Sequence, residues 1–367
     1  MKWSWKIGEF RGIGLYMHST FLILIGFIVL SHWSAGSSVG KTLEGVGFIL
    51  ALFGCVVLHE FGHALMAARY GIKTRDITLL PIGGLARLER MPDEPLQELW
   101  VALAGPAVNV VIAAALFVLL QFTNAWAPLE QISVASGPFL QRLMLVNVIL
   151  VVFNMLPAFP MDGGRVLRAL LATRLEYTRA TQIAASIGQS MALVFGFLGF
   201  LYNPFLIFIA LFVWIGAAQE ASMAQMKSSL AGIPVMRAMI TDFQTLTLGD
   251  PLAHATEQIL AGSQQDFPVL EDGHVVGILT RHDLLVGLTR HGQDTLVGDN
   301  MQREFETVDA SEMLEMSFRR LQSCRCHTAP VLQRGKLVGL LTMENVGEFV
   351  AIQAAAKDFA AANNGKR

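Results

Sequence analysis

Apolar residues form long unbroken runs over the first two thirds of the chain and short alternating runs over the last third. Residues 13–40 contain no Asp, Glu, Lys or Arg, and 21–30 are almost wholly apolar, which predicts a first membrane span. A second run covers 45–68 and carries no charged residue until His59-Glu60. Residues 99–129 make a third run, and 143–161 a fourth that ends in prolines. Residues 180–219 are free of full charges, and Tyr202-Asn203-Pro204 divides them into a fifth and a sixth run joined by a tight turn. Each run is near the ~20 residues needed to cross hydrocarbon. After a linker at 223–234 the pattern changes to short strands and helices over 235–290 and 297–350, with a small-residue tail at 351–367.

Composition agrees with that division. Of the 367 residues 53% are hydrophobic and 15% charged, against about 25% charged in an ordinary soluble chain. The first 226 residues hold 26 charged side chains and the remaining 141 hold 30. These figures exclude a wholly soluble, a disordered or a collagen-like chain. The net charge of −2 shows no basic excess, so no nucleic-acid partner is expected. Three cysteines, Cys55, Cys324 and Cys326, make no disulfide framework and suit a reducing compartment. Cys324-Arg325-Cys326-His327 lacks a partner cluster and is not read as a metal site. The first apolar run is long and lacks a small-x-small cleavage site, so it reads as a retained span rather than a signal peptide.

Short-loop cations set the orientation. Lys2, Lys6 and Arg11 precede span one; Arg69, Lys73, Arg75, Arg87 and Arg90 follow span two; Arg165, Arg168, Arg174 and Arg179 follow span four. The opposite side has only Lys41 and Arg142. Both termini and everything after residue 219 are therefore expected in the cytoplasm.

Span two contains His59-Glu60-Phe61-Gly62-His63, an H-E-x-x-H pattern. Residues four apart share a helix face, so both imidazoles can bind one ion while Glu60 stands beside them. Neutral imidazole suits zinc, zinc lowers the pKa of a bound water to roughly 7, and a neighbouring carboxylate can take its proton. Chance alone produces such a pattern at about the 1% level in a chain this long. Its place inside a span adds weight, because ionisable groups in hydrocarbon are costly and mark functional sites. A catalytic zinc needs a third protein ligand and an open position. Asp162 is the candidate, in Asn154-Met155-Leu156-Pro157-Ala158-Phe159-Pro160-Met161-Asp162-Gly163-Gly164. Prolines remove helix donors and glycines permit unusual dihedrals, which predicts an unwound segment at membrane depth. The alternative role for Asp162 is to cap a helix starting near Gly163.

Together these residues resemble the site-2 protease family of intramembrane zinc metalloproteases. The H-E-x-x-H helix, the later N-x-x-P-x-x-P-x-D-G segment and the six-span layout carry the resemblance over residues 1–222. It implies that His59, His63 and Asp162 bind one Zn2+ and that Glu60 is the catalytic acid/base. The implied substrate is a transmembrane protein cut in or near the lipid bilayer, such as an anti-sigma factor or a signal-peptide remnant. Met161 stands where the family often has Leu, and the loop at 125–136 is too short for an inserted PDZ domain. The resemblance also suggests that Asn154 hydrogen-bonds substrate or the developing oxyanion; a helix–helix contact is the alternative. Ala104-Gly105-Pro106-Ala107 in span three reads as close packing, with Asn109 a candidate for the polar cavity and for substrate binding. Residues 77–88 read either as a hairpin around Gly83-Gly84, resembling the family's G-G-x-A region, or as a plain cytoplasmic loop. An edge strand there could hold an unwound substrate by β-augmentation. His18 reads as an interfacial residue.

The last third contains an internal repeat. Residues 268–280 align with 330–342 at an offset of 62, with eight of thirteen positions identical. Each copy reads as strand, Gly turn, strand and helix, preceded by a short strand and a helix. This resembles a pair of CBS domains, which implies pseudo-symmetric α/β modules, an adenine nucleotide in the cleft and a homodimer through the modules. Thr280 and Asp283 match the family's ribose-holding residues; the second copy has Thr342 with Asn345 in place of Asp. A ligand-free dimerisation module is the alternative.

The expected fold is thus an α-helical polytopic membrane domain of about six transmembrane helices, one or more of them broken, followed by an α/β tandem CBS-domain module. The competing function is a CBS-regulated transporter or channel with a structural metal site. It accounts for the spans but not for an H-E-x-x-H paired with a proline-flanked Asp.

Overall fold

The computed structural model describes residues 3–81, 83–92, 94–123, 126, 137–324 and 326–364. Lys2, Arg325 and, apart from Trp126, the loop at 125–136 lie outside the described residues. The chain divides into two compact units, Met1–Ala224 and Gln225–Arg367.

The first unit starts with strands β1 (Ser4–Phe10) and β2 (Ile13–His18), then helices α1 (Thr20–Ser34) and α2 (Val39–Arg69). Strands β3 (Thr74–Leu80) and β4 (Gly83–Leu88) follow. Helices α3 (Pro95–Thr123), α4 (Phe139–Asn154), α5 (Asp162–Ala172), α6 (Tyr177–Leu201) and α7 (Phe205–Leu230) complete the membrane-type elements. Four of these, α2, α3, α6 and α7, are long and apolar enough to cross a membrane; α1 and α4 are apolar but have 15 and 16 residues. The fourth predicted run stops as helix at Asn154 and is irregular over residues 155–161, as its prolines imply.

The start of the chain departs from the expectation. Residues 13–18, read as the beginning of span one, are strand β2, and the helix begins only at Thr20. Arg11 and Gly12 both have positive φ, 50° and 80°. Two such residues between paired strands make the tight primed turn whose twist suits a hairpin. Strand order is β1-β2-β3-β4, with β2 and β3 parallel and the other pairs antiparallel. Residues 77–88 do form a hairpin, but Gly83 and Gly84 open β4 and pair with Leu80 and Leu79 instead of making its turn, and β4 is an edge strand. Ile13, Ile77 and Ala64 form one buried cluster with Phe61, so the sheet lies against the H-E-x-x-H stretch of α2.

The second unit contains β5 (Leu246–Thr247), α8 (Leu252–Ala261), β6 (Phe267–Glu271), β7 (His274–Leu279), α9 (Arg281–His291) and the short α10 (Val297–Asn300). Next come β8 (Val308–Asp309), α11 (Leu314–Ser323), β9 (Thr328–Gln333), β10 (Lys336–Thr342) and α12 (Met343–Asn364). Each repeat folds into a three-stranded sheet of the same topology. The segment before each repeat crosses to the other. Ile240 exchanges backbone hydrogen bonds with Leu340 of the second sheet (2.8 and 2.9 Å). Gln302 does the same with Ile278 of the first (2.8 and 3.0 Å). Both pairs map onto each other at the repeat offset of 62. Asp266 and Thr328, related by that offset, meet side chain to side chain at 2.5 Å.

Candidate metal centre

His59 and His63 lie one turn apart on α2 and are both buried. Asp162 opens α5 and is also buried. Its Oδ2 is 3.2 Å from His59 Nε2 and 3.1 Å from His63 Nε2, and the two Nε2 atoms are 3.1 Å apart. Donors held by one tetrahedral ion at ~2.0–2.1 Å stand about 3.3 Å from one another. Among the described residues this is the one group of three His, Cys, Asp or Glu side chains arranged to hold a metal ion.

The outward ring nitrogens fix what faces inward. His59 Nδ1 is 2.5 Å from Asn109 Oδ1, and His63 Nδ1 is 2.7 Å from the Val101 carbonyl. Both partners are acceptors, so each Nδ1 carries a proton, and each Nε2, turned toward the Asp162 carboxylate, is the ring nitrogen placed to ligate an ion. Two ring nitrogens and a carboxylate oxygen converging on one buried point suit a cation, and the N,N,O donor set suits zinc.

Small residues make room for this arrangement. A Cβ on Gly105 of α3 would fall 2.7 Å from His59 Nε2 and closer still to His63, so no larger residue fits. Gly164 lies in α5 with ordinary helical backbone, which corrects the expectation of unusual dihedrals. Its role is close approach: a Cβ there would meet the Ala158 carbonyl carbon at 2.6 Å. The irregular segment thus folds back on the start of α5 and presents Asp162 to α2. Since α5 begins at Asp162 with Met161 as its N-cap, Asp162 is not the cap, and its carboxylate is engaged by the histidines.

Behind Asp162, Arg168 is buried and donates to Glu98 of α3 through two of its nitrogens. It also donates to Glu220 of α7 at 2.7 Å, and its guanidinium packs over the rings of Phe159 and Tyr177. A planar fork suits several acceptors at once. This cluster ties three helices to the segment that carries Asp162. The two charges on Glu98 and Arg168 are visible in the sequence, but nothing local indicates that they meet.

Glu60 is half-buried and packs against the edge strand: a Cβ on Gly84 of β4 would lie 2.7 Å from Glu60 Cγ and 3.2 Å from its Oε1. The remaining sequence candidates fall as follows. Asn109 is fully buried and bonds His59. Asn154 ends α4, with its amide donating to the Leu150 carbonyl of its own helix. His18 bonds Thr20 at the start of α1. In the second unit Thr280 caps α9, donates to Asp283 at 2.5 Å and accepts from the Asp283 amide. Asp283 also accepts from Gln302 at 2.8 Å. In the second copy the Asn345 amide donates to Thr342, and the Asn345 side chain donates to the Ala238 carbonyl. Cys324 and Cys326 are free, with sulfurs 3.0 Å apart.

The family model described as peptidase family M50 matches residues 47–195, a stretch that contains α2 and Asp162. A zinc metalloprotease of Methanocaldococcus jannaschii is 32% identical over 94% of this chain and 96% of its own length. The chain belongs to the site-2 protease family of zinc metalloproteases. A solved site-2 protease from Methanocaldococcus jannaschii is 38% identical, over 60% of this chain and 95% of that one, with a TM-score of 0.45. The CBS domain family model matches residues 231–289. A solved CBS-pair protein from Arabidopsis thaliana is 26% identical over 34% of this chain and 99% of that one, with a TM-score of 0.31. This site-2 protease is therefore an integral membrane zinc endopeptidase with a CBS module.

Proposed function

We propose that His59, His63 and Asp162 hold the zinc of this protease and that Glu60 is its acid/base. The observation that carries the reading is the convergence of two imidazole nitrogens and a carboxylate oxygen from two helices on one buried point. Zinc bound there would supply Lewis-acid polarisation and a water of lowered pKa. Glu60 takes the proton of the attacking water and returns it to the leaving amine as the peptide C–N bond breaks. That Glu60 is only half-buried supports access of water and substrate to its carboxylate.

A transmembrane helix hides its carbonyls in its own hydrogen bonds, so it must unwind to be cut. Strand β4 supports a way of holding it. Its free edge offers backbone donors and acceptors to an extended chain, and Gly84 brings that edge against Glu60. Asn154 hydrogen-bonds the substrate or the developing oxyanion in this reading. The substrate is a membrane protein such as an anti-sigma factor or a signal-peptide remnant. The lysine and arginine bias supports both termini and the CBS pair in the cytoplasm, and an anti-sigma factor or signal-peptide remnant as substrate goes with a bacterial inner membrane. The CBS pair regulates cleavage, with an adenine nucleotide at Thr280 and Asp283 or at Thr342 and Asn345, and forms a homodimer.

The test is zinc content together with cleavage of a model single-pass substrate. Glu60→Gln should keep one zinc and lose about 10²–10⁴-fold in cleavage. Asp162→Ala should lose both. Normal cleavage by Glu60→Gln sinks the mechanism.

A further inference from the structure

We propose that Asn147 of α4 is a positioning residue for the metal centre, acting on His59 through Asn109. The proposal rests on the zinc reading above and deepens it. Asn147 and Asn109 are both fully buried, and neither is part of the donor triad.

The direction of the relay is set at its far end. An Asn side chain offers two donor hydrogens on nitrogen and an acceptor oxygen. Asn147 Nδ2 is 2.9 Å from the Leu143 carbonyl, which can only accept. The nitrogen must therefore face Leu143, with the Cys55 sulfur at 3.4 Å as a second acceptor. That turns Asn147 Oδ1 toward Asn109, whose Nδ2 donates to it at 2.8 Å. Asn109 is then obliged to present Oδ1 to His59 Nδ1 at 2.5 Å. An oxygen there requires the proton on Nδ1 and leaves Nε2 free to ligate. Reversing either amide would put donor against donor, or carbonyl against carbonyl, in a buried setting where unpaired polar groups are costly.

His63 shows the contrast. Its Nδ1 meets a main-chain carbonyl, that of Val101, in one step. His59 Nδ1 meets a side-chain oxygen instead, and two amides carry the same information from the Leu143 carbonyl across α4 and α3 to α2. Mutation can break the second device but not the first.

The experiment uses the full-length chain purified in detergent: wild type, Asn109→Leu, Asn147→Leu and the double variant. Zn2+ affinity is read by competition with a chromogenic chelator, and the ligand field by the visible spectrum after Co2+ loading. Each single variant should bind Zn2+ about 10–100-fold more weakly and shift the Co2+ bands. The double variant should be no weaker than Asn109→Leu, because Asn147 acts only through Asn109. If Asn147→Leu does not fold, Asn147→Ser cuts the relay with less bulk and gives the same readings. Wild-type affinity and spectrum in a folded Asn147 variant overturn the proposal, whatever its thermal stability. So do losses that multiply in the double variant. A wild-type chain that takes up no Zn2+ overturns the metal reading as well; equal Zn2+ affinity in wild type and variants overturns this proposal alone.

Discussion

The two units of this protein bury opposite things. In the membrane unit Phe27, Trp33, Phe122, Phe200 and Phe208 are exposed, while His59, His63, Glu98, Asn109, Asn147, Asp162 and Arg168 are inside. In the CBS unit the interior is Leu246, Leu252, Phe267, Val269 and Leu279 in one repeat and Val308, Leu314, Phe318, Val331 and Leu341 in the other. Its buried polar side chains are few among the described residues, chiefly Thr280, Ser317 and Thr328. The solvent explains the difference. Lipid is as apolar as a side chain, so it gives helices no reason to hide leucines, and the interior is free for polar groups that bond one another. Water drives apolar groups inward. The proposed metal centre of two imidazoles and a carboxylate is therefore housed among the first unit's polar contacts.

That contrast can be broken by experiment. The largest effect should come from Arg168→Met, which leaves Glu98 buried without its cation. Removing one partner of such a pair costs about 3–5 kcal/mol, so the unfolding midpoint in detergent should drop sharply; an unchanged midpoint would mean that the polar interior is not what holds the helices. Gly84→Val comes next. Its side chain would collide with Glu60 and push the carboxylate or the strand away. A displacement of this kind can cost ~10²-fold in kcat/KM, with zinc content unchanged; full activity would separate β4 from catalysis. In the CBS unit Gly339→Val would press a side chain onto the Ile240 carbonyl, 2.8 Å from the added Cβ. Overpacking of that sort costs about 1–3 kcal/mol. Gly277→Val, at the equivalent place against Gln302, should cost a similar amount if the crossed segments matter equally. The smallest effect concerns Asp266. Burial pushes its carboxyl pKa up, against the hydrogen bonds from Thr328 and the Arg281 amide. A raised value in the folded state favours the protonated form. Its contribution to stability is complete below the unfolded-state value and is lost as pH rises through the folded one. Asp266→Asn should flatten the change of unfolding midpoint with pH across that interval, and an unaltered profile would count against desolvation of the half-buried Asp266.

Much of the architecture is legible in the order of residues alone. The apolar runs fall where the apolar helices lie, Tyr202-Asn203-Pro204 separates α6 from α7, and the offset of 62 relates two sheets of one topology. The hairpin of β1 and β2 is hidden because an uncharged strand followed by an uncharged helix looks like one span; the signal is Arg11-Gly12. The crossed segments before each repeat are hidden because Ile240 and Gln302 bond residues far along the chain. Asn147 is hidden for the same reason. An asparagine in an apolar run shows only that something must satisfy it.

Helical periodicity and covalent spacing are enough to put His59 and His63 on one face with Glu60 between them, because four residues make about one turn wherever the helix lies. Neither can say that Asp162, 103 and 99 residues further on, arrives between them. Nor can they say which nitrogen of each ring faces that carboxylate. Those outcomes belong to contacts among α2, α3, α4 and α5, and such contacts exist only once the helices have packed.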